Sequence, residues 1–170
     1  MTTFFRSALV AATAALLTLS AHAQDLKIGI VNPERILSES VVAKAATARL
    51  KTEFSGREAQ ITKDGASLKA AIDKFQKDAP TMADTTRSTR EKQLSAQEDD
   101  FQAKRRQFQE DLANRRNTEL EKIQESSKRI IKQIAETEKY SIILGADAVV
   151  YTQPKYDITD QVIKALDSGK

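Results

Sequence analysis

The sequence contains no cysteine and no tryptophan, and only one histidine, three prolines and five glycines in 170 residues. The single histidine, His22, falls in an N-terminal segment that reads as a cleaved leader, so the remaining chain has neither imidazole nor thiol. That removes Ser-His-Asp and Cys-His nucleophiles, zinc sites built on His or Cys, and thiol redox chemistry. No serine begins Ser-x-x-Lys, no Gly-x-Ser-x-Gly occurs, and no glycine-rich loop is available to cradle phosphate. The acidic run Glu98-Asp99-Asp100 lacks the glycine turn and ligand spacing of a calcium loop. No catalytic residue, cofactor or metal is expected: the sequence reads as a binding protein, not an enzyme. Scarce proline and glycine, with 30% charged residues, describe a chain that stays helical and solvated.

The leader is defined by Arg6, a 12-residue apolar run from Ala8 to Leu19 broken only by two threonines, and Ala21-His22-Ala23 before the expected cut. The run is well short of the roughly 20 residues that a membrane-spanning helix needs, and no second run follows. The sequence therefore predicts export after cleavage behind Ala23, with no cysteine to take a lipid anchor. Without Arg6, 26 basic residues face 24 acidic ones, too even a balance to predict nucleic-acid binding.

In the remaining 147 residues, Leu26, Ile28 and Ile30 alternate with Lys27, Gly29 and Val31 as in a strand. Asn32-Pro33-Glu34 then supplies a cap, a first-turn proline and a carboxylate suited to a helix N-terminus. From there to about Lys139 only Pro80, Gly56 and Gly65 interrupt a helical composition. Tyr140 to Leu144 and Ala148 to Tyr151 flank Gly145-Ala146-Asp147 as in a hairpin, and Asp157 to Asp160 offers caps for a short helix bearing Val162, Ile163 and Leu166.

Apolar residues recur at seven-residue steps, as Phe54, Ile61, Leu68 and Phe75 before the proline and Leu94, Phe101 and Phe108 after it. Reflected about Thr81, beside Pro80, Leu68 meets Leu94, Ile61 meets Phe101 and Phe54 meets Phe108. This predicts an antiparallel helical hairpin over residues 42–138, with its tip at 78–89 and an arm roughly 55 to 60 Å long. The seam is thin, with about one large side chain per heptad. Acidic residues four before basic ones (Glu53 and Arg57, Asp73 and Lys77, Asp100 and Lys104, Asp111 and Arg115, Glu125 and Arg129) are expected to pair along each helix. Residues 24–41 and 139–170 form a β-rich body too small for a good independent core, so Ile28, Ile30, Ile142, Leu144, Val149 and Tyr151 are expected to be covered by other copies of the chain. The fold class is α+β, mainly helical: a long hairpin arm projecting from a small β body completed by oligomerisation.

At the tip, Met82 has no evident core to enter, and with Phe75, Lys77 and Arg87 it forms the candidate contact region for a partner. Arg105, Arg106, Arg115 and Arg116 are a candidate basic stripe for anionic lipid or lipopolysaccharide; the alternative is a solvated, salt-bridged face. Asp157 and Asp160 look like a carboxylate pair but are expected to cap the last helix.

The order of leader, Leu-Lys-Ile-Gly-Ile-Val-Asn strand, helical hairpin, Ile-Ile-Leu-Gly-Ala-Asp-Ala-Val-Val-Tyr segment and Asp-Ile-Thr-Asp-Gln-Val-Ile-Lys-Ala-Leu end resembles the Skp/OmpH family of periplasmic chaperones over residues 25–167. The resemblance implies a jellyfish-like homotrimer with a shared β body and three helical arms. It also implies an ATP-independent holding activity that encloses unfolded outer-membrane proteins and delivers them toward the membrane. A coiled-coil structural or adaptor protein of the cell envelope is the alternative.

Overall fold

A computed structural model describes residues 26–169; the leader and its expected cut after Ala23 lie outside them. The chain begins with strand β1 (Ile28–Val31) and helix α1 (Pro33–Glu39). Asn32 caps α1 as expected, its side chain accepting from the Arg35 amide at 3.1 Å, with Pro33 in the first turn. The helical run then breaks at Ser40, which the composition did not signal. Ser40 is extended and fully buried, and its hydroxyl accepts from Ala43 N at 3.2 Å to start helix α2 (Val41–Asp78).

A 3-10 turn at Ala79–Thr81 reverses the chain into helix α3 (Asp84–Glu138), 55 residues and about 80 Å long at 1.5 Å per residue. The α2–α3 hairpin thus turns at Pro80, where the apolar pattern has its mirror. Helix α3 ends on Lys139, whose left-handed φ of 59° closes the last turn. Strand β2 (Ile142–Gly145) pairs parallel to β1, Ile28 opposite Ile142 and Val31 opposite Gly145. On the other edge of β1, Ile158 N donates to Ile30 O at 2.9 Å, an isolated bridge that leaves β1 bonded on both edges of a two-stranded sheet.

Here the structure departs from the expected hairpin. Ala146–Ala148 forms a 3-10 turn, and Val149 to Gln153 belongs to no strand. Val150 and Tyr151 stand out with 106% and 82% exposure; a β-branched run of this kind is suited to pairing with a strand, and here it pairs with none. Helix α4 (Thr159–Asp167) closes the body. Its caps differ in part from expectation: Asp157 accepts from Thr159 N at 2.8 Å, whereas Asp160 reaches Arg35 at 2.6 Å and ties α4 to α1.

One apolar cluster joins Val31, Ile36, Ile158, Val162 and Leu166 to Ala43 and Ala46 of α2 and Ile123, Ile130 and Ile134 of α3. The arm bases are therefore part of the core. Each buried Ile or Leu here contributes about 1.5–3 kcal/mol relative to exposure, and Ala43 and Ala46 let α2 approach α3 closely.

Candidate functional site

Above Ala46 and Ile123 the arm loses its continuous apolar packing. Phe54 and Phe108 meet edge to face, 5.8 Å between ring centres and 74° between planes. Arg57 lies over both rings, 5.8 and 5.7 Å from their centres, and reaches Asp111 at 2.8 Å. Gly65 leaves room for the Phe101 ring, which comes within 3.0 Å of where a Cβ would stand. Leu94 is buried near the far end. The partnership of Phe54 and Phe108 follows the mirror read from the sequence.

The charges behave differently. Of the five intrahelical pairs expected, Asp100 and Lys104 form theirs at 2.7 Å. Others reach across the hairpin instead: Arg49 to Glu119 at 2.9 Å, Glu53 to Arg115 at 3.3 Å, and Arg57 to Asp111. Asp73 pairs with Lys69 rather than Lys77, and Arg129 donates to the Ser126 hydroxyl. With so little apolar bulk between the helices, facing side chains are close enough to prefer each other over neighbours one turn away.

Glu119 is the focus of this arrangement. It is buried and accepts from Arg49, Arg115 at 2.7 Å and Lys122 at 3.1 Å. Hydrogen bonds from Arg49 first, then Lys122 and Arg115, hold its carboxyl down to about 2. The same contacts raise Arg115, through Glu119 chiefly and Glu53 next.

The four arginines proposed as a stripe are not brought together. Arg105 and Arg116 lie about 20° apart around α3, but Arg106 and Arg115 are roughly 180° apart. Arg115 is engaged by Glu53 and Glu119, Arg105 sits 5.7 Å over the Phe101 ring, and Arg106 and Arg116 are exposed.

At the tip an open groove of about 580 Å³ lies between the helices. Half-buried Phe75 and Met82 line it, with Lys74, Asp78, Thr85, Thr86, Thr89, Arg90 and Gln93 around them. Of the tip residues singled out from sequence, Phe75 and Met82 thus share one surface. Lys77 is exposed in the last turn of α2, and Arg87 is held by Asp84 at 2.7 Å. In the body, Ile30 is buried and Ile28 and Val149 are half-buried. Ile142 and Leu144 point outward, 44% and 40% exposed, on the face of β2 opposite half-buried Ile143. Sequence reasoning missed Glu119, Arg49 and Asp111 as seam residues. The available signal was that the Phe101–Phe108 heptad column continues into Arg115, and the Leu112 column into Glu119.

This architecture, a long helical hairpin rooted in a small β body, defines an arm-bearing protein. The family described as outer membrane protein (OmpH-like) matches residues 27–166. The chain is 32% identical to chaperone protein Skp of Yersinia enterocolitica over 148 residues, covering 87% of this chain and 90% of that one. It is 30% identical to chaperone protein Skp of Escherichia coli K12 over 149 residues, covering 87% and 90% respectively. The crystal structure of an OmpH-like protein from Caulobacter crescentus superimposes with a TM-score of 0.75 at 26% identity, over 85% of both chains. The chain belongs to the OmpH-like family.

Proposed function

We propose that this protein is an ATP-independent holding chaperone of the periplasm. In this reading it is a homotrimer whose arms enclose unfolded outer-membrane β-barrel proteins, prevent their aggregation and deliver them toward membrane assembly. The chaperone relatives support the activity. The single structural observation that carries it is the arm: 38 residues of helix on one side and 55 on the other, a seam too thin to be a fixed coiled coil, and a tip groove presenting Phe75 and Met82. Without ATP, release depends on contacts that are individually weak, and a surface of mixed charge with sparse apolar side chains provides them. The exposed Ile142, Leu144, Val150 and Tyr151 are the surfaces through which copies would complete one body. Arg106 and Arg116, both exposed, remain the arm's candidates for contact with anionic lipid or lipopolysaccharide.

The test dilutes a urea-unfolded outer-membrane β-barrel protein into buffer and follows light scattering. The parent protein is expected to suppress scattering for several unrelated clients, and a variant with residues 60–100 replaced by a short turn to lose that effect while keeping the parent's subunit number. Full holding by the shortened protein overturns the reading, and binding to one folded partner alone favours the adaptor. N-terminal sequencing of the periplasmic fraction, expected to begin at Gln24, tests export.

A further inference from the structure

Four ion pairs join α2 to α3: Arg49–Glu119, Glu53–Arg115, Arg57–Asp111 and Asp64–Lys104, at 2.9, 3.3, 2.8 and 3.8 Å. All four mirror about position 84, and their signs alternate. Along α2 the order is positive, negative, positive, negative; along α3 it is the reverse. The apolar seam does not have this property. Its residues repeat every seven positions, so a seven-residue slip of one helix along the other sets large side chain against large side chain again.

The charges remove that degeneracy. A slip of one turn toward the tip or the base places Arg49 opposite Arg115 and Glu53 opposite Asp111, or Glu53 opposite Glu119 and Arg57 opposite Arg115. A full heptad slip places Arg57 opposite Lys104, or Asp64 opposite Asp111. Each of these four shifted registers thus meets like charges, and one of them leaves buried Glu119 against another carboxylate. Beyond Asp64 and Lys104 no ion pair crosses the hairpin among the described residues. The tip groove lies in that part, and a smaller groove of about 320 Å³ lies beside the Arg57, Asp64 and Lys104 rungs, so it is the ion pairs that distinguish the two parts.

We infer that the alternating ladder is a register lock. It fixes the pairing of the arm from its base to Asp64–Lys104 and confines opening of the hairpin to the stretch beyond. The lock is electrostatic and is screened where its rungs are exposed, so concentrated salt loosens it: the Debye length falls to about 3 Å at 1 M. The inference concerns the arm alone and stands independently of any client.

Spin-label distances test it directly, because the chain has no native thiol. Labels at Thr52→Cys with Ala113→Cys report on the locked part, and at Gln76→Cys with Ser88→Cys on the tip; all four positions are exposed. Labelled chains are diluted with unlabelled ones so that only distances within one arm are read. The locked pair is expected to give one narrow peak and the tip pair a broad distribution. Arg57→Asp should abolish the narrow peak, and adding Asp111→Arg should restore it; 1 M salt should broaden it. Circular dichroism shows that the arms remain helical in each variant. An equally narrow tip distribution, an unchanged peak in Arg57→Asp, or failure of the exchanged pair to restore it overturns the inference.

Discussion

Glu119 shows how one carboxylate can hold a helix pair where no large apolar side chain is available. It receives Arg49 from one helix and Arg115 and Lys122 from its own, and Arg115 is shared with Glu53. With its carboxyl lowered from the ordinary 4.5 to about 2, folding favours the charged form. The resulting stability is fully present above pH 4.5 and is lost as the pH falls through about 2, because the unfolded chain takes up the proton first. Thermal melts followed by circular dichroism should therefore show the parent losing stability across that interval. Glu119→Gln leaves three cations facing one another around a neutral side chain, so it should melt lower at pH 7 and lose less on acidification. Identical acid profiles for the two proteins would show that Glu119 is not the group responsible.

At the scale of the element, the helices were legible wherever the signal was local. Asn32 and Pro33 mark the start of α1 because cap and first-turn proline act within a few residues. Pro80 marks the turn because it stands beside the mirror of the apolar pattern. Ser40 is also a favoured cap residue and acts within three positions, but with helical composition on both sides of it and no proline or glycine beside it, its serine did not stand out as a break. The cross-hairpin charges were invisible for another reason: spacing rules within one helix know nothing of the helix opposite. The two arm glycines separate local from non-local effects in the same way. At Gly56 nothing lies within 4 Å of an added Cβ, whereas at Gly65 the Phe101 ring stands 3.0 Å away. Gly56→Ala should stabilise the arm by about 0.5–1 kcal/mol through backbone entropy and helix propensity. Gly65→Ala should gain clearly less, because Phe101 must shift. Denaturant melts of the two variants decide the matter, and equal gains would mean that the glycine notch does not position Phe101.

For the whole molecule, the body poses the decisive question. Its candidate residues were recognisable as apolar strand formers, but the pattern placed Ala148 to Tyr151 in a hairpin that one chain does not form. Strand β1 is bonded on both edges, while β2 has only β1 as its neighbour and turns Ile142 and Leu144 outward. If the single chain were the functional unit, acidic side chains at Ile142 and Val150 would be ordinary surface substitutions worth within about 0.5 kcal/mol. If copies share the body, the same substitutions bury charges without partners and oppose association. Ile142→Glu with Val150→Glu is therefore expected to reduce the solution mass to that of one chain, read by sedimentation or light scattering. The parent, expected as a trimer, should also have a melting temperature that rises with protein concentration, and the variant should not. A variant that keeps the parent's mass would place the shared surface elsewhere. Loss of mass would have a consequence for activity as well, because one arm has no opposing arm with which to surround an unfolded chain. The dissociated variant should then fail to suppress aggregation even though its arm, with the Glu119 cluster and the tip groove, is unaltered.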